Sequence, residues 1–363
     1  MDGIDWHEFL ARPTLEAPSL EVLNALSSTP ILITGAGGSV GSALALRLAA
    51  FVPASLILLE SAENNLYRLQ RVFDESGVAV NVTFVLGDAG DRASMEDIFA
   101  AHAPRVVFHA AAYKHVPLLE EQPWAAIANN IFATETVAGV AAAHDARVVL
   151  LSTDKAAEPV SVMGATKRVA ENIVLARGGI VVRLGNVLAS SGSVVEVFAD
   201  QIARGEPLTI TDPAVRRYLL TVDEAVSLLL IAATHPASST LLAPALPATH
   251  SITDLARFMA AQLAPGRQIP ICFTGLRPGD KLVDCLWSSS DLIRPSGIGN
   301  LLSIQSSCRV QIQLQQGLAA LHAAIESREL SAALAQLSLL IPDFQPGPAV
   351  LALVRSAGTR VCA

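Results

Sequence analysis

The chain has 363 residues, 52% of them apolar and 16% charged, with a formal net charge of −8 and a sequence pI near 5.5. That length and composition allow one large or two ordinary domains around a sizeable core, and the acidic balance argues against a nucleic-acid or anionic-membrane surface. No apolar run approaches the ~20 residues of a spanning helix, MDGIDWHEFLARP at the start holds no apolar signal core, and Cys272, Cys285, Cys308 and Cys362 lack zinc or disulfide spacing, so a cytoplasmic, metal-free protein is expected.

After an N-terminal segment (1–29), short Val/Ile/Leu-rich runs alternate with longer amphipathic stretches. Strands are predicted at ILITG (ending at Gly35), SLILLE (ending at Glu60) and VTFVLGD (ending at Asp88). Three more start at Arg105 (RVVFHAAA), Arg147 (RVVLLSTD) and Gly179 (GIVVRLGNV). Runs without polar alternation mark parallel strands covered on both faces. Helical spacing fills the intervals, as in Gly41–Phe51 and Met163–Arg177. Repeated β-α units of this kind predict an α/β fold, a Rossmann-type doubly wound parallel sheet over 30–187.

The pattern loosens after Val187. SSGS (Ser190–Ser193) and GLRPGDK (Gly275–Lys281) are loops, DPAVRRY carries a Pro turn, and Val222–Ala233 is a helix with acids in its first turn. We expect 219–245 to return to the sheet, and 188–218 with 246–309 to form a smaller C-terminal substrate domain. A helical tail (310–363) of one or two amphipathic helices and an extended end completes the chain.

ITGAGGSVG places Gly35, Gly37, Gly38 and Gly41 between the first strand and a helix. There the chain must turn tightly, let backbone N–H groups approach a pyrophosphate, and aim a helix N-terminus at that charge. Glu60, ending the second strand, suits both ribose hydroxyls of an adenosine. A 2′-phosphate there would meet a like charge, at a cost of about 1 kcal/mol at ~4 Å in water and about 4 kcal/mol at an effective dielectric of 20. NAD is thus favoured over NADP, with Arg68 or Arg71 as the cations that could still reach a phosphate. Asp88, ending the third strand, is placed for the adenine edge.

RVVLLSTDK ends a strand at its carboxyl edge, where open α/β sheets hold their chemistry. Thr153, Asp154 and Lys155 bring a hydroxyl, a carboxyl and an amine in succession, and an acid beside a base is what elimination of water requires. Lys167 shares a helix face with Met163, four residues before it. As a bland reading, STDK is a capping turn and Lys167 a solvated helix lysine. Met163 stands where a short-chain dehydrogenase usually has tyrosine, and a thioether moves no proton.

With HAAAYKHVPLLEEQP (His109–Pro123), RLGNVLASSGSV (Arg183–Val194) and GLRPGDKL (Gly275–Leu282), the chain resembles the CapD-like nucleotide-sugar 4,6-dehydratases of polysaccharide biosynthesis, within the extended short-chain dehydrogenase/reductase superfamily. FLARPTL (Phe9–Leu15) and LLIPDFQP (Leu339–Pro346) extend the likeness over nearly the whole chain. The resemblance implies UDP-N-acetylglucosamine as substrate, tightly held NAD, and a UDP-4-keto-6-deoxy sugar as product. C4 is oxidised, water leaves across C5 and C6, and the hydride returns to C6.

The resemblance assigns Thr153 to the C4 oxygen, Asp154 as acid at the C6 hydroxyl, Lys155 as base at C5, and Lys167 to the nicotinamide ribose. The implied cofactor shell is Gly35, Gly37, Gly38, Ser39, Val40, Gly41, Glu60, Asn64, Asp88, Ala89, Ala110, Ala111, Asn130 and Lys167. Lys114 and His115 border the sugar or nicotinamide; Asn186, Ser193 and Val194 meet the nucleotide; Arg217 and Arg277 face the diphosphate. Members with methionine in the tyrosine position occur, so the C4 proton is expected to leave through Thr153 to Asp154 or Lys167. On this relay Thr153→Val abolishes C4 oxidation, read from the sugar product, whereas Met163→Leu is mild.

Three positions depart from the family pattern: Asp280 for the glutamate of RPGEK, Arg216 for a small polar residue, and Glu158 for asparagine before Pro159. The membrane-spanning part of the long members has no counterpart. Alternatives are an epimerase or 5,6-dehydratase on a related UDP-sugar, and a non-catalytic NAD sensor, which would need neither acid nor base. A homo-oligomer, dimeric or larger, is expected.

Overall fold

Each of the six predicted runs forms a strand: β1 (Pro30–Thr34), β2 (Ser55–Glu60), β3 (Val82–Leu86), β4 (Val106–His109), β5 (Arg147–Thr153) and β6 (Ile180–Leu184). The computed structural model describes residues 4–78, 80–305 and 311–359; Cys308 and Cys362 lie outside them. β7 (Thr240–Pro244) adds in parallel to β6. β8 (Leu292–Pro295) and β9 (Leu301–Gln305) then extend the sheet in antiparallel pairing, so this part of the 246–309 stretch joins the large sheet. The order is β8-β9-β7-β6-β5-β4-β1-β2-β3. It reverses between β1 and β4, and the crevice at the carboxyl ends of those strands is where such sheets bind ligands.

The inner strands carry apolar residues on both faces because helices cover both. Ile31, Leu32, Ile33, Leu56, Ile57, Leu58, Val149 and Leu150 are wholly buried. A second, smaller core gathers Leu188, Val195, Phe198, Ile202, Leu208, Ile210, Val215, Leu219, Ile252, Leu255 and Met259. It is built from short paired strands (Leu208–Ile210 with Ile271–Phe273, Arg216–Arg217 with His250–Ser251) and the helices Val194–Arg204 and Ile252–Leu263.

The N-terminal segment is tied to the sheet domain by a buried ion pair. Arg12 forks onto Glu224, Nη1 to Oε1 at 2.6 Å and Nη2 to Oε2 at 2.9 Å, and Leu15 N–H donates to Oε1 at 3.1 Å. Glu224 also completes a capping box with Thr221 at the start of the helix Val222–Ala233. Burial alone would raise its carboxyl, but Arg12 and the two backbone donors hold it below its ordinary range.

At the other end, the helices Gln311–Glu326 and Leu330–Leu340 form a hairpin over the helix Val162–Ala176. A third helix, Pro348–Thr359, packs on Val116–Glu121 and stands where an extended end was expected. His322 stacks on Phe132 with ring centroids 3.8 Å apart and meets Glu135 at 2.9 Å. Among the described residues, no helix is long and apolar enough to cross a membrane.

Candidate active site

The glycine loop is shaped by close backbone approaches. Gly35 has φ +69°, and a Cβ there would lie 2.6 Å from Ala111 N. At Gly41 a Cβ would come 2.2 Å from the Gly35 carbonyl oxygen, so the helix Ser39–Ala49 can start against the turn only with glycine here. Gly38 caps that helix without a side-chain bond, which leaves its first N–H groups for a ligand. Glu60 is buried beside the loop, Oε2 accepting from Gly37 N–H and Oε1 from Ala62 N–H, both at 2.9 Å. A Cβ on Gly37 would lie 2.6 Å from Asn65 Cβ and 3.0 Å from Glu60 Oε2, so glycine lets the loop pack against both. These residues fit a dinucleotide: a helix N-terminus with free donors, backbone that can be closely approached, and a fixed acid.

Other expected cofactor residues are placed less directly. Ser39 and Val40 open the helix, and Ser39 Oγ accepts from Ser191 N–H at 2.8 Å, joining the glycine loop to the Ser190–Ser193 loop. Asp88 folds its carboxylate onto Gly90 N–H at 2.8 Å, and Ala89 is buried next to it. Ala110 and Ala111 follow β4 and face Gly35. Asn64 is exposed in the first turn of the helix Glu63–Ser76; its neighbour Asn65 packs against Gly37. Asn130 lies in a π-helical stretch, Ile127–Phe132, of the type common at functional sites. Its amide takes Tyr113 N–H at 2.9 Å and gives to Tyr113 O at 3.1 Å and Thr166 Oγ1 at 3.2 Å, so it clamps the loop after β4.

β5 delivers Thr153 at its carboxyl end, and a single 3₁₀ turn, Asp154–Ala156, follows. Thr153 Oγ1 accepts from Lys155 N–H at 3.3 Å and donates to Asp154 Oδ1 at 2.9 Å. Lys155 Nζ donates to Asp154 Oδ1 at 3.0 Å, to Asn186 Oδ1 at 2.9 Å and to Asp284 Oδ2 at 3.1 Å. Asp154 is fully buried, and its Oδ2 has no partner among the described residues. Burial raises the Asp154 carboxyl; Lys155 opposes this and Asp284 adds to it. Burial would lower Lys155, but Asp154 and Asp284 outweigh it, so the amine rests as an ammonium.

The turn is braced from below. A Cβ on Gly164 would sit 2.4 Å from the Lys155 carbonyl oxygen, so glycine lets the helix Val162–Ala176 touch the turn Asp154–Ala156. Ser161 and Glu120 cap that helix, accepting from Gly164 N–H at 3.1 Å and Val162 N–H at 2.7 Å. Met163 is buried in the main core. Lys167 Nζ donates to Leu151 O at 2.8 Å, and burial lowers it to about 8 with Glu171 pulling the other way. Of the two acceptors considered for Thr153, the structure brings Asp154 into hydrogen-bond contact; Lys167 is bonded to the strand. Under Thr153, Ser152 Oγ donates to Glu171 at 2.7 Å, and Arg183 forks onto the same carboxylate at 2.8 Å through both Nε and Nη2.

Around the mouth, Lys114 Nζ donates to Ser191 O at 2.6 Å, and burial lowers its pKa. The His115 ring packs on Gly192. Ser193 caps the helix Val194–Arg204 with a buried Oγ that has no partner among the described residues. Arg277 is exposed and paired with Asp280 at 2.8 Å. Arg217 instead turns inward: its Nη groups donate to the carbonyls of Arg216, Lys281 and Leu282 at 2.8–3.1 Å, and Nε is 3.1 Å from Asp284. Lys281 Nζ donates to Ala157 O at 2.7 Å. Lys114, Lys155, Lys167 and Lys281 are the chain's four lysines, and all lie at this edge of the sheet. A void of about 10 Å³ lined by Lys155, Ser161, Arg217, Gly279 and Asp284 remains beside the amine. A cavity of about 390 Å³, lined by Arg168, Thr240, Arg294 and Gln305 among others, lies at the opposite strand ends.

Sequence reasoning missed Asp284, Ser191, Gly164 and the Glu171–Arg183 pair. Only Arg183 left a signal, a lone charge inside an apolar strand.

The chain is similar to known proteins. The family model described as "Polysaccharide biosynthesis protein" matches residues 31–306. The probable polysaccharide biosynthesis protein EpsC of Bacillus subtilis (strain 168) is 36% identical over 294 residues, 78% of this chain and 49% of its own length. The chain thus spans about half the length of the first curated relatives it matches. A UDP-glucose 4-epimerase of Rickettsia canadensis is 34% identical, over 76% of this chain and 82% of its own length. Among solved structures, Pen from Bacillus thuringiensis aligns at a TM-score of 0.72 with 27% identity, covering 78% of this chain and 89% of its own. DesIV, a dTDP-glucose 4,6-dehydratase from Streptomyces venezuelae solved with NAD, shares the fold at a TM-score of 0.62 and 20% identity, over 70% of this chain and 87% of its own. The chain belongs to the polysaccharide biosynthesis protein family and has the fold of the short-chain dehydrogenase/reductases.

Proposed function

We propose that the protein is an NAD-dependent 4,6-dehydratase of UDP-N-acetylglucosamine, a nucleotide-sugar lyase. The observation that carries this reading is the chain of contacts from Thr153 through Asp154 to Lys155, on a buried turn at the carboxyl edge of the sheet. Bound NAD would be held by the glycine loop, Glu60 and Lys167, and supplies a hydride acceptor that later gives the hydride back. The C4 hydroxyl proton passes to Thr153 Oγ1 as Thr153 passes its own to Asp154 Oδ1, a route that needs no tyrosine. The ketone at C4 acidifies C5, and Lys155, in the fraction that has given its ammonium proton to solvent base, takes the C5 proton. Asp154, now protonated, gives its proton to the C6 oxygen, which leaves as water. Lys155 then returns a proton to C5. Every proton taken up is spent, so the sugar loses one water and the protein ends as it began.

Burial supports the double role of Asp154, because a carboxyl that resists ionisation can hold a proton between two steps. Arg277 and Lys114 are the exposed cations at the mouth that would turn toward a diphosphate, Arg277 giving up Asp280 and Lys114 the Ser191 carbonyl. A second reading, 4-epimerase, is favoured by the Rickettsia relative. It would need the hydride chemistry and Thr153, but no acid at C6.

The test is incubation with UDP-N-acetylglucosamine in heavy water, followed by mass spectrometry and proton NMR. Loss of one water with a single deuterium at C5 is expected. An isomer of unchanged mass would replace the dehydratase by the epimerase, and an untouched sugar would reject UDP-N-acetylglucosamine as substrate.

A further inference from the structure

We propose that Arg12 is a positioning residue for the cleft: it clamps a hinge between the two cores and so sets where Asn186, Arg217 and Asp284 are presented to Lys155. For the substrate that spans both cores, this rests on the reading above. The cleft is assembled from two bodies. Thr153, Lys155 and Lys167 stand on the sheet and its helix. Arg217 lies between Val215 and Leu219 of the smaller core, and Asp284 is tied to its neighbour, Asp284 N–H donating to Arg216 O at 3.4 Å. Hydrogen bonds across such a divide form only if the two bodies are held in register.

Two of the chain's passages between the cores lie side by side. Going out, Leu184 packs in the main core and Leu188 in the smaller one; coming back, Leu219 packs in the smaller core and Leu220 in the main one. Between them Asn186–Val187 pairs in parallel with Leu219–Leu220. The carbonyls of Tyr218 and Leu220 accept from Asn186 N–H at 2.7 Å and Leu188 N–H at 2.9 Å. The Leu219 carbonyl faces the other way, and Arg12 Nη2 donates to it at 3.1 Å. The N-terminal segment is thus a third passage, laid along the free edge of that strand. Leu10 packs in the smaller core and Phe9 tilts against His250 and Phe258, whereas Leu15, Leu23 and Leu26 pack in the main core. Arg12 sits at the changeover, and its fork onto Glu224 ties it to the helix that leaves the hinge.

This hinge carries one side of the cleft. Asn186, paired to Leu219, accepts from Lys155 Nζ at 2.9 Å. Arg217, two residues before Leu219, holds Asp284 at 3.1 Å, and Asp284 meets Lys155 Nζ at 3.1 Å. Two other lysines join the bodies, Lys114 to Ser191 O at 2.6 Å and Lys281 to Ala157 O at 2.7 Å. Lys167 alone bonds within the sheet domain, to Leu151 O. Arg12 hydrogen-bonds none of these groups and acts through the hinge. Arginine suits the place because one planar guanidinium takes a carboxylate and a neighbouring carbonyl together, which a lysine ammonium does not do in a fixed geometry.

The experiment compares the full chain with Arg12→Gln, which takes the fork from Glu224 and the Leu219 carbonyl. With only four lysines, ¹⁵N-lysine NMR reads each Nζ without substrate. The signals of Lys114, Lys155 and Lys281, which join the two bodies, should shift, and that of Lys167 should stay. With UDP-N-acetylglucosamine, kcat/KM is expected to fall about 100-fold, the cost of a misplacement of about 1 Å, with KM carrying part of the loss. The Kd for NAD, which the sheet domain holds, should not change. Phe9→Ala loosens the segment from the smaller core and leaves the ion pair intact. It should give the same pattern, and would carry the comparison if Arg12→Gln did not fold.

Unchanged lysine signals in a folded variant would overturn the proposal and leave Arg12 as an anchor for stability alone. A shift at Lys167 together with weaker NAD binding would overturn it as well, because the sheet domain itself would then be loosened. A wild type that leaves UDP-N-acetylglucosamine untouched would reject the substrate and not the hinge, which the lysine signals decide by themselves.

Discussion

Asp154→Asn is expected to lower water loss from UDP-N-acetylglucosamine by about 10,000-fold, the upper end of what proton transfer contributes, because two transfers fail together. The amide cannot take the C4 proton from Thr153, and it cannot protonate the C6 oxygen. Both C4 oxidation and elimination should therefore disappear, and raising the pH should restore neither. Asparagine nearly matches aspartate in volume, and Lys155 keeps Asp284 and Asn186, so the fold should survive; thermal unfolding checks this beside the product assay. Retained water loss in Asp154→Asn would remove Asp154 from the acid role.

The largest stability effect is expected at Arg183→Leu. Arg183 and Glu171 are both wholly buried, and removing one partner of such a pair costs about 3–5 kcal/mol, since the other charge is left uncompensated. The deficit should depend on pH. Burial already raises Glu171 above its ordinary 4.5, with Arg168 and Ser152 opposing, and losing Arg183 raises it further. An acid whose folded pKa lies above its unfolded value destabilises the fold as pH rises between the two. The gap between wild type and variant should widen from about pH 7 upward, where Glu171 ionises in the folded wild type but not in the variant, and urea unfolding across that range measures it. A deficit independent of pH would mean that lost packing, and not the stranded carboxylate, sets the cost.

The parts of the fold that local rules write were legible. Apolar runs without alternation announced β1 to β6, and the glycine loop followed from what a backbone must do to approach a phosphate. β8 and β9 were missed because most of their residues are exposed or half-buried, which leaves no apolar run. The turn proposed as catalytic was singled out by its place after a strand, but not its partner: Asp284 meets Lys155 from 129 residues away in the chain. Arg217 shows the limit from the other side. A guanidinium in a basic loop reads as a ligand for phosphate, and only the folded backbone reveals three carbonyls waiting for it. Asn130, expected at the cofactor, spends its amide on the backbone of Tyr113, and nothing in IANNIF signals the π-helical stretch that aims it there.

The confinement of every lysine to one edge of the sheet has a practical consequence. The remaining positive charge of the exterior is guanidinium, which acylating reagents spare. Apart from the α-amino group, amine-directed chemistry on this chain therefore reads the cleft alone. Whatever fills the cleft shields the exposed Lys114 and the half-buried Lys281, so acylation at these two positions becomes a footprint of occupancy that needs no turnover.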